Sequence, residues 1–600
     1  MIVKMKKVFL LIQENQAHAA LESLGTLGVV HVEHEHTPSG LELNEISEKL
    51  SLIEQARSIL SSAGQKHPSK YIIHKSGDLQ TVCRHIIDLQ KRYNQLKEYS
   101  VTLNNRIDLW EPWGDFDPAQ INALRERNIF IKFVQIPKDK VNNLQPGLLL
   151  KKISTQGALV NCLVVAQEDI NIGFKELELP RASLSGMKNR LSEDAKIMVN
   201  IREELSEYLI YNNDLVSAEG FLLNQKDFYS VLKGMGQVNE ITYLKGYIPV
   251  EAEGMLFKQA KQNGWGILTL EPDKEDSVPT LVRNPAWIAL IRPVLRLLEL
   301  VPGYREIDIS PLFIIFFSLF FGILIGDAGY GAVYLLLTFW VHRKIGYKTK
   351  DKGTFFLFYI LSFCAIIWGL LTATFFGQEW LLSLGIKPLV PVLLNASFVQ
   401  GLCFFIGALH LSLAHGWRAA LKAPDLSALA EIGWISIIWA VFFLAKNLLL
   451  SESFPSFGSW LIVAGLVLVL FFSSPQKNIF KTLGAGLGKI ALSLVNNFTD
   501  VVSYIRLFAV GLATVAIADA FNAMAAGIIQ KGDFLTIVMA ALVIVSGHML
   551  NIILGPMSVL VHGVRLNVLE FCSHANVAWD GFAYKPFCKK EGELKWKQEL

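Results

Sequence analysis

No two cysteines in this chain stand at a CxxC or other metal-ligand spacing; the six, at 83, 162, 364, 403, 572 and 588, are scattered. That excludes a zinc or cluster framework and leaves reduced thiols that pack, two of them inside apolar stretches. A phosphate loop is missing as well. The segment GAGLGK (484–489) lacks the GxxxxGK[ST] spacing and follows no strand, so neither a nucleotide site nor any other cofactor is expected. The histidines of HVEHEH (31–36) do not share one face of a strand, which reads as an exposed strand end and not as a metal site. The opening MIVKMKKVFLLIQENQ turns polar after about six apolar residues, too few for a cleavable signal, so the part that follows is expected in the cytoplasm. A net charge of +3 over 600 residues gives no footprint for nucleic acid.

Charge is scarce only in the second half. About two thirds of the charged residues precede residue 301, and long uncharged runs begin after it. The mean hydropathy of +0.36 therefore averages a soluble half, 1–300, and a membrane half, 301–600.

In the soluble half, KKVFLLI…AHAALESLGTLGVVHVE predicts strand, helix and strand. Heptad spacing then takes over at Leu43, Ile46, Leu50, Ile53 and Leu60, with Arg57 breaking the seam. It runs again from Leu79 to Trp110 and from Met187 to Leu215. Such seams need partner helices, and an antiparallel coiled-coil stalk within the chain is the simplest solution; unrelated amphipathic core helices are the alternative. The segments DPAQINALRERNIFIKFVQIP and GALVNCLVVAQE predict a distal α/β lobe. The expected boundaries are a proximal lobe at about 1–40 and 216–300, a stalk at about 41–111 and 181–215, and a distal lobe at about 112–180.

Eight spans are expected after it, at about 309–326, 328–342, 354–377, 395–416, 428–450, 457–473, 488–529 and 534–572. The last two, at about 40 residues and 1.5 Å per residue, exceed a bilayer core and must tilt or project. The fold class is thus an α+β cytoplasmic half, two small lobes joined by the stalk, followed by an all-α polytopic membrane domain. Basic residues fall on every second loop: five in RKIGYKTKDK, two in WRAALKAPD, two in SSPQKNIFK and five in the tail KPFCKKEGELKWKQEL. By the positive-inside rule these loops, the soluble half and the C-terminus share the cytoplasmic side.

Polar stripes mark the last two spans. Asn496, Thr499, Ser503 and Arg506 follow spacings of 3, 4 and 3; His548, Asn551, Gly555, Ser558, His562 and Arg565 continue the same rhythm in the eighth. An arginine at mid-membrane costs roughly 2.5–3.5 kcal/mol on insertion scales, so each stripe should face water or protein. Interhelical hydrogen bonding or a head-group anchor would also explain the arginines. The small residues Ala509, Gly511, Ala513, Ala516 and Ala520 allow a helix to approach closely, from this chain or another.

These segments resemble a known family, the membrane stator subunit of V-type and A-type rotary ATPases. YLKGYIPV, EIDISPLFIIFFSLFFGILIGDAGYG, SYIRLFAVGLA, HGVRLNVLE and YKPF are similar to its signatures and stand in its order, over essentially the whole chain. The resemblance implies a non-catalytic subunit, with a ring of proteolipids turning against two tilted helices and two offset half-channels leading ions to it. It implies that Arg506 faces the ring carboxylates, with Arg565 as its partner. His562 and Glu570 also fall on family positions. Asp327 becomes a candidate for the outer half-channel; Asn496, Thr499, Asp500 and Ser503 lie toward the inner one, and His548, Asn551 and Ser558 line the eighth span. Thr514 and Gly555 stand where eukaryotic members have histidine and glutamate, so that part of the path does not carry over. Implied partners are the proteolipid ring, peripheral-stalk subunits E and G, a central-stalk ring adaptor, the catalytic head indirectly, and lipid, in a bacterial or archaeal plasma membrane. The rival readings are a secondary transporter holding an anion at Arg506, which would need internal repeats, and a membrane-anchored scaffold without transport.

Overall fold

The computed structural model describes residues 1–62, 78–141, 149–349, 352–377, 388–472, 493–529 and 533–589. The basic segment SSPQKNIFK, the GAGLGK stretch, residues 488–492 of the seventh expected span and the tail beyond 589 lie outside the described residues. By its contacts the chain divides into two units. One comprises Met1–Val8, Tyr247–Lys258 and Leu268–Pro586; the other comprises Phe9–Gly246, Gln259–Ile267 and Phe587–Leu600.

In chain order the first elements are β1 (Met5–Gln13), α1 (Ala17–Leu27), β2 (His31–Glu33), α2 (Leu41–Ser62), α3 (Leu79–Trp110) and α4 (Pro118–Arg125). Then come β3 (Phe130–Pro137), β4 (Leu149–Gln156), β5 (Leu159–Ala166), β6 (Lys175–Leu177), α5 (Leu184–Glu207) and α6 (Asn212–Gly234). They are followed by β7 (Gly236–Val238), β8 (Ile241–Pro249), α7 (Glu253–Asn263) and β9 (Gly266–Leu270). The first sheet has the order β2-β8-β1-β9, with β7 on β8. Helix α1 stops at Gly28, whose φ of 62° is left-handed and whose N–H closes on the Leu24 carbonyl.

Heptad positions Ile46, Leu50, Ile53 and Leu60 of α2 and Val82, Ile86 and Leu89 of α3 are buried in one seam with Ile201 and Leu205 of α5. The same seam takes in Leu215, Ala218 and Leu222 of α6, so the apolar rhythm runs past 215 and the helix persists to Gly234. Arg57, which interrupts the seam, pairs with Glu219 of α6. The second sheet is antiparallel in the order β4-β5-β3-β6. Strand alternation turns Phe133 onto Trp110 and Trp113 at the end of α3, and turns Val134 and Ile136 to the opposite face with Cys162 and Val164.

Burial gives these thiols different reactivities. The buried Cys83 is pushed up to about 11 by desolvation, with a smaller push from Asp78, whereas Cys588 is exposed. Alkylation of the native chain followed by peptide mapping is expected to label Cys588 and spare Cys83 until the chain is unfolded.

The remaining helices are α8 (Ala286–Ala289), α9 (Arg292–Leu297), α10 (Ser310–Ile325), α11 (Ala328–Ile345) and α12 (Gly353–Thr372). They continue with α13 (Ala396–Lys422), α14 (Ala428–Leu450), α15 (Ser456–Phe472), α16 (Ser493–Ile529) and α17 (Phe534–Ala575). Among the described residues five helices, α12, α13, α14, α16 and α17, are long and apolar enough to cross a membrane, and α10 and α15 are shorter apolar helices. The hairpin between α10 and α11 turns at Gly326, with φ of 67°, and Asp327 caps α11 through the Tyr330 N–H. A Cβ at Gly369 of α12 would collide with the backbone of Ala328, so only glycine lets α12 close on this turn. Helix α13 runs to Lys422, six residues past the expected end of its span. Arg418 and Lys422 of WRAALKAPD are therefore helical and bind Glu431 in the first turn of α14.

Candidate functional site

Proline decides the shape of α17. Pro556 has no N–H to give the Ile552 carbonyl, and that carbonyl accepts from the Tyr334 hydroxyl instead, at 3.0 Å. Beyond it the helix widens into π turns at Val559–Gly563 and Leu566–Phe571. The uniform α register expected for His548 through Arg565 therefore ends at Ser558. In an α-helix, residues five apart lie roughly 140° apart around the axis. The i→i+5 bonding of a π turn brings the fifth residue nearly above the first. Arg565 and Glu570 are such a pair, and their Nε and Oε1 stand 3.4 Å apart.

Glu570 is the hub of this end of the site. It is 5% exposed, and its Oε1 accepts from Arg506 Nη1 at 3.0 Å and from Ser503 Oγ at 3.3 Å. Its Oε2 is buried with no hydrogen-bond partner among the described residues. Arg506 is thus ion-paired within its own chain, while its side chain stays 30% exposed and its other nitrogens make no hydrogen bond among the described residues.

Next to this hub is a cavity of about 900 Å³, lined by Asn496, Asp500, Arg565, Glu570, His574 and Glu431 among others. Behind it runs a chain of short contacts. Asp500 Oδ2 lies 3.1 Å from His574 Nε2, and His574 Nδ1 lies 2.9 Å from His415 Nε2. His415 Nδ1 is in turn 2.7 Å from Glu431 Oε2. Arg418 and Lys422 hold the other oxygen of Glu431, at 2.9 and 2.5 Å. Sequence reading missed His415, Glu431 and His574. The available signal was a carboxylate three residues into an apolar helix, with basic residues just before it in the chain.

A second polar cluster lies farther along α16. His548 Nδ1 is 2.7 Å from the Tyr330 hydroxyl, which also accepts from Asn551 Nδ2 at 3.1 Å. His548 Nε2 is 3.2 Å from Asn522 Oδ1, and Asn522 and His548 line a cavity of about 530 Å³. Asp327 is fully buried, and its two oxygens accept from the backbone N–H groups of Tyr330 and Gly377. It braces the turn that carries Tyr330, and the groups that reach the cavity are Asn522 and His548. Tyr330 and Asn522 were not singled out from sequence.

Along α16, Asp500 and Asn522 are 22 positions apart, roughly 33 Å at 1.5 Å per residue, which is about the thickness of a bilayer core. Arg506 falls between them. Thr499 bonds its own helix at the Val495 carbonyl. Ser558 and His562 are half-buried and make no side-chain hydrogen bond among the described residues. The small residues divide: Gly511 is buried against the Ile323 carbonyl of α10, while Ala509, Ala513, Ala516 and Ala520 stand exposed on another face of α16.

No protein-family model matches the chain. It is 32% identical over 624 residues to V-type ATP synthase subunit I of Borreliella burgdorferi, covering 98% of this chain and 100% of that one. To V-type ATP synthase subunit I 1 of Treponema pallidum it is 29% identical over 633 residues, with the same coverage. A-type ATP synthase subunit I of Methanocaldococcus jannaschii matches at 24% over 463 residues, 68% of this chain and 65% of that one.

Proposed function

Because the chain belongs to the subunit I family of V-type and A-type ATP synthases, a subunit of that complex, we propose that it is the ion-translocating stator, passing protons or sodium ions between two offset cavities and a rotating proteolipid ring. One observation carries this reading. Two cavities lie about a bilayer apart along α16, one walled in part by Asp500 and the other, mostly apolar, by Asn522 and His548, and Arg506, partly exposed, falls between them.

An ion enters from the cavity at Asp500 or from the one at His548 and Asn522, and reaches a ring carboxylate on the exposed alanine face of α16. As the ring turns, that carboxylate passes Arg506. A fixed guanidinium favours the ionised carboxylate, so the carboxyl releases its ion there and takes up another only after passing. The same charge repels a cation that would otherwise cross directly from one cavity to the other. Glu570, which also accepts from Ser503, holds Nη1 of Arg506 and leaves the rest of the fork for the ring. Arg565 gives Glu570 a second cationic partner when Arg506 is engaged elsewhere.

ATP is hydrolysed on other chains, and the soluble half links this one to the peripheral-stalk subunits E and G and to the ring adaptor, so that it resists the torque of rotation. The N-terminal half and the C-terminus face the cytoplasm. Affinity purification of the tagged chain from solubilised membranes tests the assignment. Co-isolation of the catalytic head and a proteolipid ring, with ATP-driven ion uptake after reconstitution, is expected; a chain that transports alone, or a complex with no ring, contradicts it.

A further inference from the structure

His410 of α13 is fully buried. Its ring is stacked between Phe316 of α10 and Phe571 of α17, with centroids 3.8 and 4.4 Å away and interplanar angles of 20° and 14°. Its Nδ1 lies 2.9 Å from the Tyr504 hydroxyl of α16, and its Nε2 is buried with no hydrogen-bond partner among the described residues. A polar ring with one nitrogen left unbonded costs stability in an apolar core, where an apolar ring would stack without stranding an atom. Packing alone does not account for it.

The residues it touches flank the pair on which the proposed transport depends. Tyr504 stands two positions before Arg506, and Phe571 one position after Glu570. At Tyr504 helix α16 tightens. The Tyr504 N–H reaches the Val501 carbonyl at 3.4 Å and the Leu507 N–H reaches the Tyr504 carbonyl at 3.0 Å, each three residues away where a regular turn has four. In such a turn side chains three apart eclipse. Ser503 and Arg506 are three apart, and both reach Glu570 Oε1, at 3.3 and 3.0 Å. The Tyr504 ring seats on α13 because residue 407 is glycine; a Cβ there would come within 2.6 Å of it. Gly407 and His410 lie one turn apart on the same face of α13, so one receives the ring and the other the hydroxyl.

We propose that His410 is a positioning residue for ion transfer, a role that rests on the stator reading. Through Tyr504 it holds the tight turn that aims Ser503 and Arg506 at Glu570, and through Phe571 it steadies the π turn that carries Glu570 to them. It lines neither cavity and carries no ion itself.

Two substitutions separate position from stability. Tyr504→Phe removes the hydroxyl, keeps the ring on Gly407 and leaves neither nitrogen of His410 bonded. Adding His410→Phe keeps a ring between Phe316 and Phe571 and removes the stranded nitrogens, so the double variant should melt above Tyr504→Phe. Pumping should not recover with it. In the reconstituted complex ATP-driven ion uptake should fall about ten-fold or more in both variants, because misplacing a positioned group by roughly 1 Å costs up to about a hundred-fold. The acid limb of the pumping profile should also move to higher pH. A displaced guanidinium favours ionisation of the passing carboxyl less strongly, while Glu570, Arg565 and His562, the charged and titratable groups around Arg506 on α17, are unchanged.

Wild-type uptake with an unmoved profile in Tyr504→Phe would overturn the proposal, as would pumping that returns with the melting temperature in the double variant. Should the double variant not assemble, Tyr504→Phe decides alone: lost amplitude without a shifted profile means damaged complexes and overturns the role. Arg506→Ala separates the two readings. Normal pumping there defeats the stator assignment, whereas wild-type behaviour of Tyr504→Phe in a complex that needs Arg506 defeats only the role of His410.

Discussion

Replacing Arg506 with alanine is expected to abolish ATP-driven ion transport while the complex still assembles. Two unit charges about 4 Å apart interact by about 4 kcal/mol at an effective dielectric of 20. That is about three pKa units, a thousand-fold change in the ionised fraction of a passing carboxyl. Without it the carboxyl keeps its ion through the point where it should let go, and the barrier to a direct leak disappears. The fold should survive, because Glu570 retains Arg565 at 3.4 Å and Ser503 at 3.3 Å. Vesicles carrying the variant complex should show no ATP-driven gradient, with the subunit inventory unchanged on a gel. Normal pumping by the variant would contradict the assignment.

Glu431→Ala is expected to give the largest loss of stability. The carboxylate is 3% exposed and is the common partner of Arg418, Lys422 and His415. Removing one member of a buried ion pair costs roughly 3–5 kcal/mol, because the partners keep their charge and lose its complement. Helices α13 and α14 meet here, so the damage should spread along their shared face. Thermal denaturation of the solubilised chain should show a large fall for Glu431→Ala. It should show almost none for Glu452→Gln, whose pairing with Lys446 is at the surface and worth about 0–1 kcal/mol. Equal melting temperatures for the two variants would rule out the buried pair as a support.

Arg506 and Arg565 were legible because a charge in an apolar run has so few explanations, and Glu570 through the family resemblance alone. Their meeting was not, since it depends on π turns after Pro556 that move Glu570 over Arg565, and periodicity analysis assumes one pitch throughout. Asp327 was legible as a residue, while the part both of its oxygens play in holding backbone N–H groups was not. Arg418 and Lys422 counted toward a basic loop, and only the extension of α13 to Lys422 turned them toward Glu431. In the soluble half the heptads marked which residues of α2 and α3 are buried, while the continuation of the seam into α6 lay in the spacing of Leu215, Ala218 and Leu222.

Disulfide trapping tests the central claim most directly, which is that the face of α16 beside Arg506 meets the acidic helices of a moving ring. With Ala513→Cys on that exposed face and a cysteine one turn from the ring carboxylate, oxidation of the assembled complex should form the cross-link and stop ATP-driven rotation, and reductant should restore it. A fully active complex in which Ala513→Cys never reaches the ring, whatever the rotor position, would contradict the account.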